Sequence, residues 1–229
     1  MENKEHIIQV EENIVLNIAD VESSETMKHM VEQVFNQDEY NIRKMNFEDG
    51  DVVVDIGANV GSVSLYIAKK YPNVKIYSFE AHPINYKNLI RNIESNNITN
   101  IVAHNLAVSH VDNELINITL SPNNTGSSSI FKSSKTDSEL LNFEVSTICL
   151  DTIISTNNIK KIKFLKIDCE GSEFDILENF KQFNTVEVVN MSVEIHTFME
   201  SKGKNVNSLV ELCNKISTNT PTCKIYSLG

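Results

Sequence analysis

The chain has 229 residues, 31 acidic against 20 basic, and a formal net charge of −11. That length suits one domain with a sizeable core, and an acidic chain offers phosphates no favourable global field, which argues against a nucleic-acid partner. Cys149, Cys169, Cys213 and Cys223 form no C-x-x-C pair, MENKEHIIQVEEN lacks a basic-then-apolar signal pattern, and no apolar run approaches the ~20 residues that span a bilayer. The expectation is a cytosolic protein with four reduced thiols, no zinc site and no membrane span.

In chain order, Ile7, Ile8 and Val10, then Ile14, Leu16 and Ile18, predict short extended pieces. Ser24 with Met27, Met30, Val31, Val34 and Phe35 predicts a packing helix with one apolar face. The stretch DVVVDIGANVGSVSLYIAKK, Asp51 to Lys70, organises the rest of the chain. Val52, Val53, Val54 and Ile56 read as a strand buried on both faces. Gly57 to Gly61 permit a tight turn and a close ligand. Val63, Leu65, Ile67 and Ala68 then open a helix ending in Lys69 and Lys70, which suit its negative end. In an open α/β sheet such a turn is where a ligand binds. The spacing is D-x-G-x-x-x-G through Asp55, Gly57 and Gly61, with Asn59 where a dinucleotide fingerprint has its middle glycine. Asp55 does not help a pyrophosphate but suits a cationic ligand such as S-adenosylmethionine.

Lys75–Phe79 predicts a second strand, ending at Glu80, whose carboxylate can bridge two ribose hydroxyls or serve as an acid at the start of the next helix. Ala81 and His82 would flank the adenine, and His82 also reads as a turn residue before Pro83. Ile101–Val108 predicts one third strand, and Leu115–Leu120 an added one. Ser121–Lys135 is Ser/Asn-rich with Gly126 and predicts a loop, either a surface connection or a lid for a polar acceptor. Phe143–Leu150 predicts a further strand, with Asp151 capping a short helix. Ile162–Ile167 predicts the fourth core strand and runs into Asp168, Cys169, Glu170, Gly171, Ser172 and Glu173. Three carboxylates there need a counter-charge, such as a sulfonium or a metal. Ser172 and Glu173 fit the cap of the next helix, which leaves Asp168 and Glu170 for chemistry. Val186–Ile195 predicts the fifth strand, with Glu194 and His196 on one face. Asn207–Ile216 reads as a helix and Lys224–Leu228 as a last strand.

DIGANVG, SFEAHP at Ser78–Pro83 and FLKIDCEGSEFDIL at Phe164–Leu177, in that order, resemble the FkbM-type family of class I S-adenosylmethionine-dependent methyltransferases. The resemblance implies a Rossmann-like α/β fold, a mostly parallel sheet with helices on both faces. Residues 1–47 would be a helical and extended cover, and 48–229 the cofactor-binding core of a single domain. It implies Asp55, Gly57, Asn59, Gly61, Glu80, Ala81, His82 and Asp168 as cofactor contacts, and puts Asn105, Leu106 and Ala107 beside the adenine edge. The implied reaction is O-methylation of a hydroxyl on a sugar, glycan, natural product or other small molecule. Asp168, Glu170, Glu194 and His196 are the catalytic candidates, with His196 as base. Alternatively a divalent metal on Asp168, Glu170 or Glu194 lowers the acceptor's pKa. The rival readings are a nucleotide-dependent oxidoreductase and a non-catalytic cofactor-binding protein.

Overall fold

The computed structural model describes residues 3–21, 26–121, 124–129 and 141–226. An N-terminal antiparallel hairpin pairs β1 (Asn3–Glu11) with β2 (Ile14–Val21). A helix, α1 (Thr26–Met30), continues as a wider π-helical turn over Val31–Asn36 and buries Val34 and Phe35. Ser24 lies outside the described residues. Strand β3 (Val52–Ile56), helix α2 (Ser62–Lys70) and strand β4 (Lys75–Phe79) come next, then α3 (Pro83–Ser95) and β5 (Ile101–His104). A second group of strands holds β6 (Ala107–Ser109), β7 (Leu115–Ser121), β8 (Asn124–Ser129) and β9 (Leu141–Cys149). The chain then runs through α4 (Leu150–Thr156), β10 (Lys161–Ile167), α5 (Glu173–Glu178), β11 (Glu187–His196), α6 (Val206–Ile216) and β12 (Thr222–Tyr226).

Six strands form the central sheet in the order β12-β11-β10-β3-β4-β5, every pair parallel. Starting at β3 the chain builds one side through β4 and β5, then returns to lay β10, β11 and β12 on the other. The reversal falls between β3 and β10, and in sheets of this kind ligands sit at the carboxyl ends of the strands there. Alternation along β3 sends Val54 and Ile56 into the core under α4, α5 and α6, and Val53 into the core with α2 and the hairpin. Both faces of the sheet are therefore covered, as the apolar run predicted.

The hairpin docks through amide side chains of α3. Asn92 accepts from Ala19 N at 2.7 Å and donates to Ala19 O at 3.0 Å. Asn96 accepts from Asn17 N at 2.9 Å and donates to Asn17 O at 2.6 Å.

Several expectations are corrected. The stretch Ile101–Val108 is two strands, because Asn105 and Leu106 leave the central sheet and β6 joins the second sheet, of order β6-β9-β7-β8. Within the expected loop, Asn124–Ser129 pairs with β7, while 122–123 and 130–135 lie outside the described residues. Asp151 does not cap its own helix; its carboxylate accepts from Lys181 N and Gln182 N at 3.1 and 2.8 Å. Asp112 takes that place, accepting from Cys149 N and from Thr152 Oγ1, both at 2.7 Å. Ser172 sits at the start of α5 without a side-chain cap. The last strand begins at Thr222 and runs parallel to β11. Among the described residues no helix is long and apolar enough to cross a membrane.

Candidate functional site

A cleft opens at the carboxyl ends of β3, β4 and β10. Its floor is the glycine turn. Gly57 N and Ala58 N donate to Phe79 O at 2.9 and 3.0 Å, which ties the turn to β4. Gly57 has φ +75°, and a Cβ there would lie 1.7 Å from Asp168 O, so only glycine lets β3 and β10 close on each other at this level. Gly61 serves packing instead: its Cβ would meet Leu89 at 2.5 Å, and it does not line the cleft.

Glu80 stands at the end of β4, 5% exposed. Its Oε2 accepts from Asn59 N at 2.7 Å and its Oε1 from His82 N at 2.8 Å. Burial pushes this carboxyl up to about 7, against the pull of those two N–H groups. Asn59 holds a left-handed φ of 51°, and its buried Oδ1 has no hydrogen-bond partner. The apolar wall is Phe79, Leu106, Ala107, Val108 and Ile118, with Ala81 at the rim. An acceptor carboxylate at one end of an apolar slot, beside an orphaned amide oxygen, fits the ribose, adenine and ammonium of S-adenosylmethionine.

Besides Gly61, three residues expected at the cofactor do not line the cleft. Asp55 is fully buried; Ser64 Oγ donates to it at 2.6 Å and Lys166 Nζ lies 3.3 Å away. The cation it matches is therefore a lysine. His82 is buried and caps α3, accepting from Ile84 N at 3.2 Å, and burial depresses its pKa to about 4. Asn105 donates to Glu80 O and Ala81 O at 2.9 and 2.7 Å, bracing the wall.

The β10–β11 end is a network of charges. Lys166, 3% exposed, donates to Gly57 O at 2.9 Å and lies 3.4 Å from Asp168 Oδ2. Tyr40, from the N-terminal region, donates to Glu194 Oε1 at 2.8 Å, with Asp168 Oδ2 at 3.3 Å. Burial and the Asp168 charge push Glu194 up to about 8, against Lys166. Glu170, with a left-handed φ of 53°, lines the cleft. Such backbone strain in a non-glycine residue collects at functional sites. Burial pushes Glu170 up to about 7, opposed by His196.

His196 lies between two carboxylates, with Nδ1 3.0 Å from Glu173 Oε1 and Nε2 3.4 Å from Glu170 Oε2. Glu173, fully buried, also accepts from His196 N and Gly171 N, both at 2.7 Å. Burial works against charge on the imidazole, but the Glu173 hydrogen bond and the charges of Glu173, Glu170 and Asp168 outweigh it and hold the pKa up to about 9. At neutral pH the ring is already protonated, so it is not free to take a proton from an acceptor hydroxyl.

Asp168, Glu194 and His196 thus meet as the strand ends predicted, with ligand atoms within 4.8 Å of one another. Sequence reasoning misses Lys166, Tyr40 and the bracing role of Glu173. Lys166, the second of two lysines in the apolar strand IKFLKI and in register with Asp55, was the available signal; Tyr40 carried none.

Residues 55–217 match the methyltransferase FkbM domain family. Methyltransferase 1 of Beauveria bassiana is 28% identical over 183 residues, 69% of this chain and 73% of its own. The 31-O-demethyl-FK506 methyltransferase FkbM of Streptomyces tacrolimicus is 24% identical over 207 residues, 78% of each chain. Hexuronic acid methyltransferase AglP of Haloferax volcanii is 26% identical over 157 residues, 68% of this chain and 60% of its own.

Proposed function

The chain belongs to the methyltransferase FkbM domain family, and on that premise we propose that it transfers a methyl group from S-adenosylmethionine to a hydroxyl oxygen of a sugar, glycan or natural-product acceptor. The observation that carries this reading is the Glu80 carboxylate, fixed by Asn59 N and His82 N at the mouth of an apolar slot. The relatives named for a 31-O-demethyl compound and for a hexuronic acid support an oxygen acceptor.

When bound, the cofactor supplies an electrophilic methyl carbon. Glu80 would accept from the ribose hydroxyls, and the wall of Leu106, Ala107 and Val108 would pack the adenine and exclude water. Glu170, at the far end of the cleft, takes the acceptor's proton; a carboxyl near pH 7 is poised for that task. The His196 imidazolium, held by Glu173, orients Glu170 and favours its charged form. Holding the acceptor oxygen in line supplies much of the rate.

Calorimetry tests the cofactor site. Wild type should bind S-adenosylhomocysteine and not NADH, and Glu80→Ala should lose roughly 1–3 kcal/mol of that affinity, the scale of charge-assisted hydrogen bonds. Equal affinity in the variant, or tight NADH binding, would overturn the reading.

A further inference from the structure

The carboxylates around the cleft pose the question of what neutralises them. Asp168, Glu194 and His196 bring ligand atoms within 4.8 Å of one another, a spacing open to a divalent ion. Yet each donor already faces a proton. Asp168 Oδ2 faces the Lys166 ammonium at 3.4 Å and the Tyr40 hydroxyl at 3.3 Å. Glu194 Oε1 accepts from the same hydroxyl at 2.8 Å. Both ring nitrogens of His196 face carboxylates, which favours the imidazolium, and an imidazolium has no lone pair for a metal.

Lys166 has the surroundings of a bound cation. Its Nζ lies 2.9 Å from Gly57 O, 3.3 Å from Asp55 Oδ1 and 3.4 Å from Asp168 Oδ2, with the Tyr40 ring centroid at 5.4 Å. Carboxylate and carbonyl oxygens are the hard ligands that calcium and magnesium gather, and here a side chain reaches three of them from inside β10. We propose that Lys166 is the resident cation of this site: a positioning residue that takes the place of a divalent ion, clamps the glycine turn to Asp168, and makes the transfer independent of metal. The claim rests on the methyl-transfer reading only for the reaction it serves; the cation assignment stands on the residues themselves.

Manganese is the probe, read by calorimetry and by the thermal unfolding midpoint, on wild type, Lys166→Met and Lys166→Arg. Wild type and Lys166→Arg should bind no Mn²⁺ that Asp168→Asn abolishes, and EDTA should leave their midpoints unchanged. Lys166→Met should gain one Mn²⁺ site, with Kd on the order of 0.1–1 mM, the weak end for oxygen-ligand sites, and its midpoint should rise with the ion. A merely structural lysine predicts no such gain. One Mn²⁺ per wild-type chain that is lost in Asp168→Asn, or a folded Lys166→Met that binds none, overturns the proposal. Should Lys166→Met not fold, wild type decides alone: no Asp168-dependent Mn²⁺ and no EDTA effect support it, and the bound ion overturns it. S-adenosylhomocysteine calorimetry on the same wild-type sample reports separately on the cofactor reading.

Discussion

At the β3–β4 end of the cleft the functional carboxylate is held by backbone: Glu80 accepts from Asn59 N and His82 N. At the β10–β11 end the carboxylates are held by side chains: Glu194 by Tyr40, Asp168 by Lys166, Glu173 in part by His196. A backbone donor cannot titrate, and no substitution short of proline removes it. A side-chain donor can do both. One end therefore has a fixed shape for a fixed ligand part, while the other shares protons among neighbours and can be retuned one residue at a time.

The largest effect should come where the two ends touch. Gly57→Ala puts a Cβ 1.7 Å from Asp168 O at a left-handed φ, and should cost about 3–5 kcal/mol, the range of severe core lesions. Urea unfolding measures it. A loss under about 1 kcal/mol would mean that β3 and β10 part easily there, and that the two ends are not rigidly joined.

A second break separates the ends by pH. The folded-state pKa of His196 is raised to about 9 from the ordinary value of ~6.5. Its contribution to stability is therefore complete below about pH 6.5, declines above it, and is gone once pH passes the folded value. Glu173, Glu170 and Asp168 face this ring, with Phe198 and Tyr226 beside it. The urea midpoint of wild type should fall more steeply from pH 6.5 to 9.5 than that of His196→Gln, amounting to about 1–3 kcal/mol, since each unit of pKa shift is worth ~1.4. Parallel curves for the two proteins would remove the imidazolium from the network.

The smallest change sharpens the comparison. Tyr40→Phe deletes the hydroxyl between Glu194 and Asp168 and should cost about 1 kcal/mol of stability. Because Tyr40 belongs to the β10–β11 end, S-adenosylhomocysteine affinity should not move. A tenfold loss of that affinity by calorimetry would mean that the charge network reaches the cofactor end.

The same contrast explains which parts of the molecule are legible in its sequence. The strand, turn and helix of Val52–Lys70 are legible because each element is specified by adjacent residues, and Glu80 meets donors only 2 and 21 positions away. The second end joins Tyr40 to Glu194 across 154 positions and Lys166 to Gly57 across 109. No local pattern encodes such pairings. So the charge of Asp55 points to a ligand when its partner is Lys166, and His196 reads as a free base because the buried Glu173 behind it reads as a helix cap. The break inside IVAHNLAV escapes because it carries no Gly or Pro; what bends the chain there is Asn105 reaching back to Glu80 O and Ala81 O.

The amides of Asn92 and Asn96 have a consequence for the N-terminal hairpin. A two-stranded ribbon has a second edge, and an open edge is a template for strands of other chains. A primary amide carries the same donor and acceptor as a peptide group. Four residues of helix rise about 6 Å and two residues of strand about 6.6 Å, so amides at 92 and 96 fall in register with the backbone at 19 and 17, as an antiparallel neighbour would. The helix counterfeits a third strand, and at those two positions β2 has nothing left to offer an incoming chain.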